Sequence, residues 1–201
     1  MSTLQEQFGK IDIYIFDQLL RGRIGQGMRV LDAGCGGGRN IAYLLREGYD
    51  VSGNDRDPDA VARIRQLAAS LAPASAHDFR VEAIEDTSFA DASFDVVIAS
   101  AVLHFARDDA HFRTMVHQLW RVLKPGGMLF ARLASTIGMA DDVEPIGEHR
   151  FRLPDGSDRY LVDAGTLLAF TAELGGSLLD PLKTTVVHEQ RSMTTWVVRK
   201  Q

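Results

Sequence analysis

The sequence contains little cysteine, no long apolar run and no excess of positive charge. Cys35 is the only cysteine among 201 residues, so an intrachain disulfide cannot form and a cytoplasmic location is expected. No run of roughly eighteen apolar residues is present, and the polar start at residues 1–10 lacks a signal-peptide pattern, so no membrane span or export signal is expected. The net charge of −5 disfavours a broad phosphate-binding surface and hence a nucleic-acid partner.

Metal-ligand spacings and internal repeats are also missing. The sequence has no H-x-x-x-H or C-x-x-C pair, so we predict no metal site. His111 and His117 stand six residues apart on a predicted helix, and we expect both to be exposed to solvent. The length suits one domain with one sizeable core, and no second-domain boundary is visible.

What the chain does contain is a glycine-rich turn at residues 30–40, with the sequence VLDAGCGGGRN. Apolar residues lead into Asp32, glycines follow at alternate positions, and a helical pattern begins after Arg39. This order predicts a buried strand, a tight turn and a helix start. Glycine lets the backbone take positive φ and lets a ligand approach closely, and in open α/β sheets ligands bind at this end of the strands.

A second acidic signal follows at the expected distance. The run Asp50 to Asp55 is typical of a short strand, and Asp55 lies twenty-one residues beyond Gly34. A carboxylate at this place can accept hydrogen bonds from both hydroxyls of a ribose, which indicates an adenosine-containing ligand. The spacing is G-x-G-x-G, and Arg39 stands where a dinucleotide fingerprint has its third glycine.

With these motifs in view, the chain resembles the class I S-adenosylmethionine-dependent methyltransferases, closely over residues 28–135. The matching segments occur in the family's order: VLDAGCGGGRN, VSGND, EDTSFADASFDVVIASAVLHF and LKPGG. The GRN ending followed by YLLREGYDV is most similar to the small-molecule branch that includes tellurite-resistance and thiopurine-type enzymes.

The resemblance implies S-adenosylmethionine as the cofactor and assigns residues to its parts. Gly34 and Gly36 would line the methionine part, Asp55 would bind the ribose, and Ile84 and Glu85 would flank the adenine. The full expected cofactor-binding set is Asp32, Gly34, Cys35, Gly36, Asp55, Arg56, Ile84, Glu85 and Ser100. The family often has aspartate where this chain has Ala83, so Glu85 or Asp86 is the alternative partner for the adenine amino group.

The predicted fold is a single α/β domain of the Rossmann-like class I methyltransferase type, with seven mostly parallel strands and a C-terminal antiparallel hairpin. An amphipathic helix is expected over residues 4–20, within an N-terminal helical lid at 1–27. A cofactor-binding core at 28–135 follows, then an aperiodic substrate-side insertion at 136–160. Residues 161–201 are expected to form a helix and a terminal hairpin of strands 182–187 and 193–198.

Residues that contact the methyl acceptor are harder to derive. His104 directly follows the strand ending at Ser100 and is our candidate general base, with packing on Phe105 as the alternative. Tyr14 and Phe105 are candidate substrate-side residues, and Tyr14 is as readily interpreted as packing.

The sequence therefore predicts a methyltransferase acting on a small molecule, and it leaves the oligomeric state open. Three other functions share part of this pattern: a nicotinamide-dependent dehydrogenase, a nucleic-acid methyltransferase and a non-catalytic cofactor-binding subunit. Against a dehydrogenase, this sequence contains no Y-x-x-x-K pair. Against a nucleic-acid methyltransferase, it contains no proline-rich aromatic motif after the fourth strand. The third shares every cofactor motif, and a fold alone does not exclude it.

Overall fold

Alternating apolar strands and amphipathic helices build a doubly wound sheet. A computed structural model of the chain describes residues 3–73 and 77–201. Its strands are β1 Arg29–Ala33, β2 Asp50–Asp55, β3 Asp78–Val81, β4 Phe94–Ser100, β5 Leu123–Ala134, β6 Glu144–Gly147, β7 Arg150–Arg152, β8 Asp158–Tyr160, β9 Gly176–Leu178, β10 Lys183–Val187 and β11 Arg191–Lys200.

The main sheet has the order β10-β11-β5-β4-β1-β2-β3. Strands β3, β2, β1, β4 and β5 pair in parallel, whereas β11 pairs antiparallel with both β5 and β10. The predicted seven strands with a terminal antiparallel hairpin are thus confirmed. A further three-residue strand, β9, also pairs antiparallel with β11 and adds an eighth member.

Helices cover both faces of this sheet. They are α1 Leu4–Phe8, α2 Ile13–Leu20, α3 Ala42–Arg46, α4 Pro58–Leu71, α5 Asp109–Val122 and α6 Ala164–Glu173, with short 3₁₀ turns at Ile84–Asp86 and Leu103–Phe105. Side chains alternate along each strand, so Val30 packs into one core cluster and Leu31 into another. Burial on both faces accounts for the nearly continuous apolar run of β4.

The N-terminal segment differs from the single helix expected over residues 4–20. It forms α1 and α2, because Gly9 takes φ +59° and ends the first helix. Asp12 then caps the second helix, since its carboxylate accepts the Tyr14 amide at 2.9 Å. Helical spacing of the apolar residues continues across this break, which is why periodicity alone did not reveal it.

The insertion at residues 136–160 is more ordered than its aperiodic sequence suggested. Strands β6, β7 and β8 form a separate three-stranded antiparallel sheet. These strands are three or four residues long, too short to produce a recognisable alternation of apolar and polar residues. Arg150 ties this small sheet to the main domain by donating to the Ala106 carbonyl at 3.0 Å.

Neither a bilayer-spanning helix nor a metal cluster is found in the part of the chain that the structure describes. The longest helices there have 14 residues, and none is apolar and long enough to cross a membrane. Within the same residues, no group of three His, Cys, Asp or Glu side chains could hold a metal ion.

Candidate active site

The glycine turn follows β1 at the carboxyl edge of the sheet. The Asn54 carbonyl of the neighbouring β2 accepts the amides of both Gly34 and Cys35, at 2.8 and 3.0 Å. Gly34 and Gly36 have φ of +71° and +52°. A Cβ on Gly34 would lie 2.5 Å from a Val102 methyl, whereas one on Gly36 would meet nothing within 4 Å. Only glycine suits the first position sterically, and the second faces open space.

Asp55 ends β2 beside this turn. One carboxylate oxygen accepts the Gly36 amide and the other accepts the Asp57 amide, both at 2.9 Å. These two bonds fix the orientation of the carboxylate and leave lone pairs on each oxygen for a ligand. The backbone of the turn and the acidic side chain are therefore held as one unit.

A cavity of about 230 Å³ opens at this unit. It collects residues from both sequence motifs and from the loops after β3 and β4. Six residues that the sequence predicted line it together: Gly34, Asp55, Arg56, Ile84, Glu85 and Phe105. The cavity thus has a glycine floor, a carboxylate and a partly apolar wall, which suits an adenosine-containing molecule.

Asp32 lies next to the turn and is almost fully buried. Its Oδ2 atom has no hydrogen-bond partner among the residues that the structure describes. Burial raises the pKa of this carboxyl to about 7, a shift that the Arg39 guanidinium opposes and Asp55 increases. A buried carboxylate without a partner is unfavourable in the free protein and is therefore suited to a cationic ligand group.

A second cavity of about 360 Å³ adjoins the first. Ala101 and Phe105 line both cavities, so the two meet at the end of β4. Ala101 takes φ +62°, a strained conformation for alanine that is often found at functional sites. The turn between β7 and β8 supplies Asp155 and Ser157 to the wall, which brings the insertion to the edge of the site.

Comparison with known proteins identifies the fold and its family. Residues 31–131, half of the chain, match the family model described as "Methyltransferase domain". The chain belongs to this methyltransferase family. That membership makes a dehydrogenase, one of the alternatives left open by the sequence, the wrong interpretation of the glycine turn.

A similar curated protein is the ubiquinone biosynthesis O-methyltransferase of Xylella fastidiosa, 34% identical over 139 residues, which are 67% of this chain and 54% of the relative. The methyltransferase domain described here therefore spans about half the length of the curated relatives it matches.

Solved structures share the fold at low sequence identity. A SAM-dependent methyltransferase of Methanosarcina mazei matches with a TM-score of 0.74 and 21% identity, over 90% of this chain and 96% of that one. A magnesium protoporphyrin IX methyltransferase of Synechocystis PCC 6803, solved with bound SAM, matches with a TM-score of 0.71 and 17% identity, over 100% and 85%. The fold is thus the class I methyltransferase fold.

Other sequence-predicted residues of the methyltransferase domain lie behind the cavities. The Cys35 side chain is buried in the core beside α3 and α4, and burial raises the pKa of its thiol, so it is inert. Ser100 is also buried, and its hydroxyl accepts an Arg39 N–H at 3.4 Å. The Tyr14 hydroxyl forms a hydrogen bond with the Thr185 hydroxyl at 2.6 Å. The Arg132 guanidinium carbon lies over the Tyr14 ring, 5.5 Å from the ring centre.

The prediction that His111 is exposed was wrong. Helix α5 begins against the 3₁₀ turn at Ile84–Asp86, and this contact buries the imidazole. Its Nδ1 accepts the Arg107 amide at 3.1 Å, and Nε2 lies 2.8 Å from a Glu85 oxygen, close enough to pair although not aligned as a hydrogen bond. His111 and Met115, one helical turn apart, line the first cavity. His117 is half-exposed beside Glu173, as predicted.

Proposed function

We propose that the chain transfers a methyl group from S-adenosylmethionine to a small molecule. The observation that carries this proposal is the first cavity, which is lined by Gly34 and by the fixed carboxylate of Asp55. The open space beside Gly36 and the buried Asp32, whose Oδ2 atom has no partner in the described residues, belong to the same turn. When bound, S-adenosylmethionine supplies a methyl group on a positively charged sulfur, already activated for in-line displacement. The protein then has to bind and orient the cofactor and the methyl acceptor, and to exclude water.

Each part of the cavity has a task in this proposal. The open space beside Gly36 leaves room for the methionine part, and Asp32 offers its carboxylate to the ammonium group there. Asp55 accepts hydrogen bonds from the ribose hydroxyls, since its two amide contacts already orient it. Glu85 lines the same cavity as Ala83 and lies 2.8 Å from His111, and it would bind the adenine amino group in place of the aspartate that this chain lacks at residue 83.

His104 has the geometry of a hydrogen-bond donor. Its Nδ1 accepts the Ala134 amide at 3.3 Å, which places the proton of the neutral ring on Nε2. Burial lowers the pKa of His104 to about 4, and Arg159 and Arg132 add to this shift. The ring therefore stays neutral at physiological pH, and its Nδ1 lone pair already accepts the Ala134 amide. In place of the general base expected from the sequence, His104 would donate a hydrogen bond from Nε2–H to the methyl acceptor.

The role of His104 predicts a flat pH profile and rescue by glutamine. His104→Ala should lower turnover about fivefold, the effect of one neutral hydrogen bond of ~1 kcal/mol, and His104→Gln should restore most of it because its amide also donates. Wild-type kcat/KM should show no inflection near pH 6.5, since the lowered pKa removes His104 from that range. An inflection there that disappears in His104→Gln would reinstate the base.

Asp32 predicts that cofactor affinity depends on pH. Only the ionised carboxylate pairs with an ammonium group, and its pKa near 7 in the free protein means that the fraction ionised falls about tenfold between pH 8 and pH 6. S-adenosylmethionine affinity measured by calorimetry should fall about tenfold over this interval. Asp32→Asn should bind more weakly at pH 8 and show a flat profile. A wild-type affinity that stays the same between pH 8 and pH 6 would contradict the assignment.

The same pKa predicts an opposite trend in the stability of the free protein. Since the folded pKa lies above the unfolded value of 3.8, ionised Asp32 destabilises the fold fully above pH 7, and this penalty disappears as the pH falls toward 4. Melting of wild type and Asp32→Asn without cofactor tests the sign, because the variant should gain most at pH 8.

The proposed activity is tested by incubating the protein with methyl-labelled S-adenosylmethionine and a metabolite extract. The expected result is a labelled small molecule and stoichiometric S-adenosylhomocysteine. Binding of S-adenosylhomocysteine without any labelled product would favour the non-catalytic cofactor-binding subunit. Label in added nucleic acid would instead contradict the small-molecule acceptor, which the net charge of −5 supports.

A further inference from the structure

The second cavity has a strongly basic wall in a chain of net charge −5. Arg39, Arg132, Arg159 and Arg191 line it, and the only carboxylate among the described residues that line it is Asp155. These arginines come from four separate elements: the turn after β1, strand β5, strand β8 and the first residue of β11. Only the tertiary structure brings these four arginines together, and the single carboxylate of Asp155 cannot neutralise their charge.

Most of this positive charge has no carboxylate partner among the described residues. Arg132 pairs with Asp12 at 3.0 Å, yet its Nε is buried without a hydrogen-bond partner in the described residues. Across residues 3–73 and 77–201, no carboxylate lies within ion-pair distance, 4.0 Å, of Arg39, Arg159 or Arg191. A Nη atom of Arg159 donates to the Asp158 carbonyl at 2.8 Å, and its guanidinium lies 4.9 Å from the Phe105 ring centre.

The one acidic residue that lines the described part of this wall, Asp155, already accepts a hydrogen bond within the protein. Hydrogen bonding from the Ser157 side chain and from its amide, at 2.9 Å, holds the pKa of Asp155 below its usual range, and the nearby Arg159 and Arg191 add to this effect. His104 adds a further donor in the form of its Nε2–H. The wall therefore presents mainly N–H donors and positive charge, and the field of Arg159 and Arg132 also disfavours protonation of the imidazole.

We propose that the methyl acceptor carries an oxyanion, a carboxylate or a phosphate, which binds among Arg132, Arg159 and Arg191; this inference rests on the proposed function. Guanidinium groups bind planar or tetrahedral oxyanions through paired N–H donors. Leu153, Val187 and Met193 line the same cavity and accommodate an apolar body the size of an aromatic ring. The acceptor atom then faces Ala101 and Phe105, where the two cavities meet.

The test uses benzoate, phenyl phosphate and the neutral benzamide as probes, titrated by calorimetry with and without saturating S-adenosylhomocysteine. Wild type should bind at least one anionic probe about tenfold more tightly than benzamide, an effect within the range for hydrogen bonds to charged groups. This ratio should fall below about threefold in Arg159→Gln/Arg191→Gln and when salt rises to ~0.5 M. The tighter of the two anions identifies carboxylate or phosphate as the bound group.

Arg199→Gln is the matched control. Arg199 lies on the same strand as Arg191, eight residues further on and about 27 Å away. Arg199→Gln therefore removes one positive charge at the opposite edge of the sheet, as Arg191→Gln does at the cavity. The anion preference should persist in this variant. Equal binding of all three probes by wild type, or equal loss of preference in Arg199→Gln, would overturn the inference. Absent binding of S-adenosylhomocysteine would overturn the proposed function instead, since titrations without it still measure the anion preference.

Discussion

Gly36→Val is expected to lower the affinity for S-adenosylhomocysteine more than a hundredfold, about 2.8 kcal/mol or more, while leaving the protein folded. A Cβ at this position meets no protein atom within 4 Å, so the side chain enters the space that we assign to the cofactor. The positive φ of +52° adds strain of ~1–2 kcal/mol for a non-glycine residue. Most folded domains tolerate a loss of that size.

The measurement is thermal melting with and without S-adenosylhomocysteine, because a ligand that binds only the folded state raises Tm. Gly37→Val is the matched control: Gly37 is exposed, has no positive φ and also has open space at its Cβ. The control should retain the ligand-induced rise, whereas Gly36→Val should lose it. A rise of equal size in both variants would place the cofactor away from this turn.

Asp55→Ala is expected to weaken S-adenosylmethionine binding by about 1.5–3 kcal/mol, ten- to a hundredfold, the range for hydrogen bonds to a charged group. Two effects combine in this variant. The ribose hydroxyls lose their acceptor, and the Gly36 amide loses the partner that holds the turn at 2.9 Å.

Asp57→Ala provides the comparison for Asp55→Ala, because it removes another aspartate side chain only two residues away. Asp57 caps helix α4 by accepting the Asp59 amide at 2.9 Å, so its loss should lower Tm and leave cofactor affinity within about threefold. Calorimetry on the two variants separates a binding role from general electrostatics. If both variants lose affinity equally, the ribose assignment of Asp55 fails.

The cofactor half of the proposed site could be predicted from local sequence. Gly34 and Gly36 precede Asp55 at a spacing that places the turn and the carboxylate at the ends of neighbouring parallel strands, and the structure pairs those strands in register. The terminal hairpin was equally readable from two β-rich runs joined by five residues. In both cases the decisive information is local, because backbone conformation and strand alternation depend on near neighbours.

The proposed acceptor half could not be predicted in this way. Arg39, Arg132, Arg159 and Arg191 are spread over more than 150 positions, and nothing in their immediate surroundings marks them as one wall. The burial of His111 likewise depends on a helix packing against a turn distant in sequence, and the donor role proposed for His104 depends on the Ala134 amide of β5. Long-range packing sets which side chains share a cavity and which protonation state each one keeps, and such contacts leave no local periodicity or spacing in the sequence.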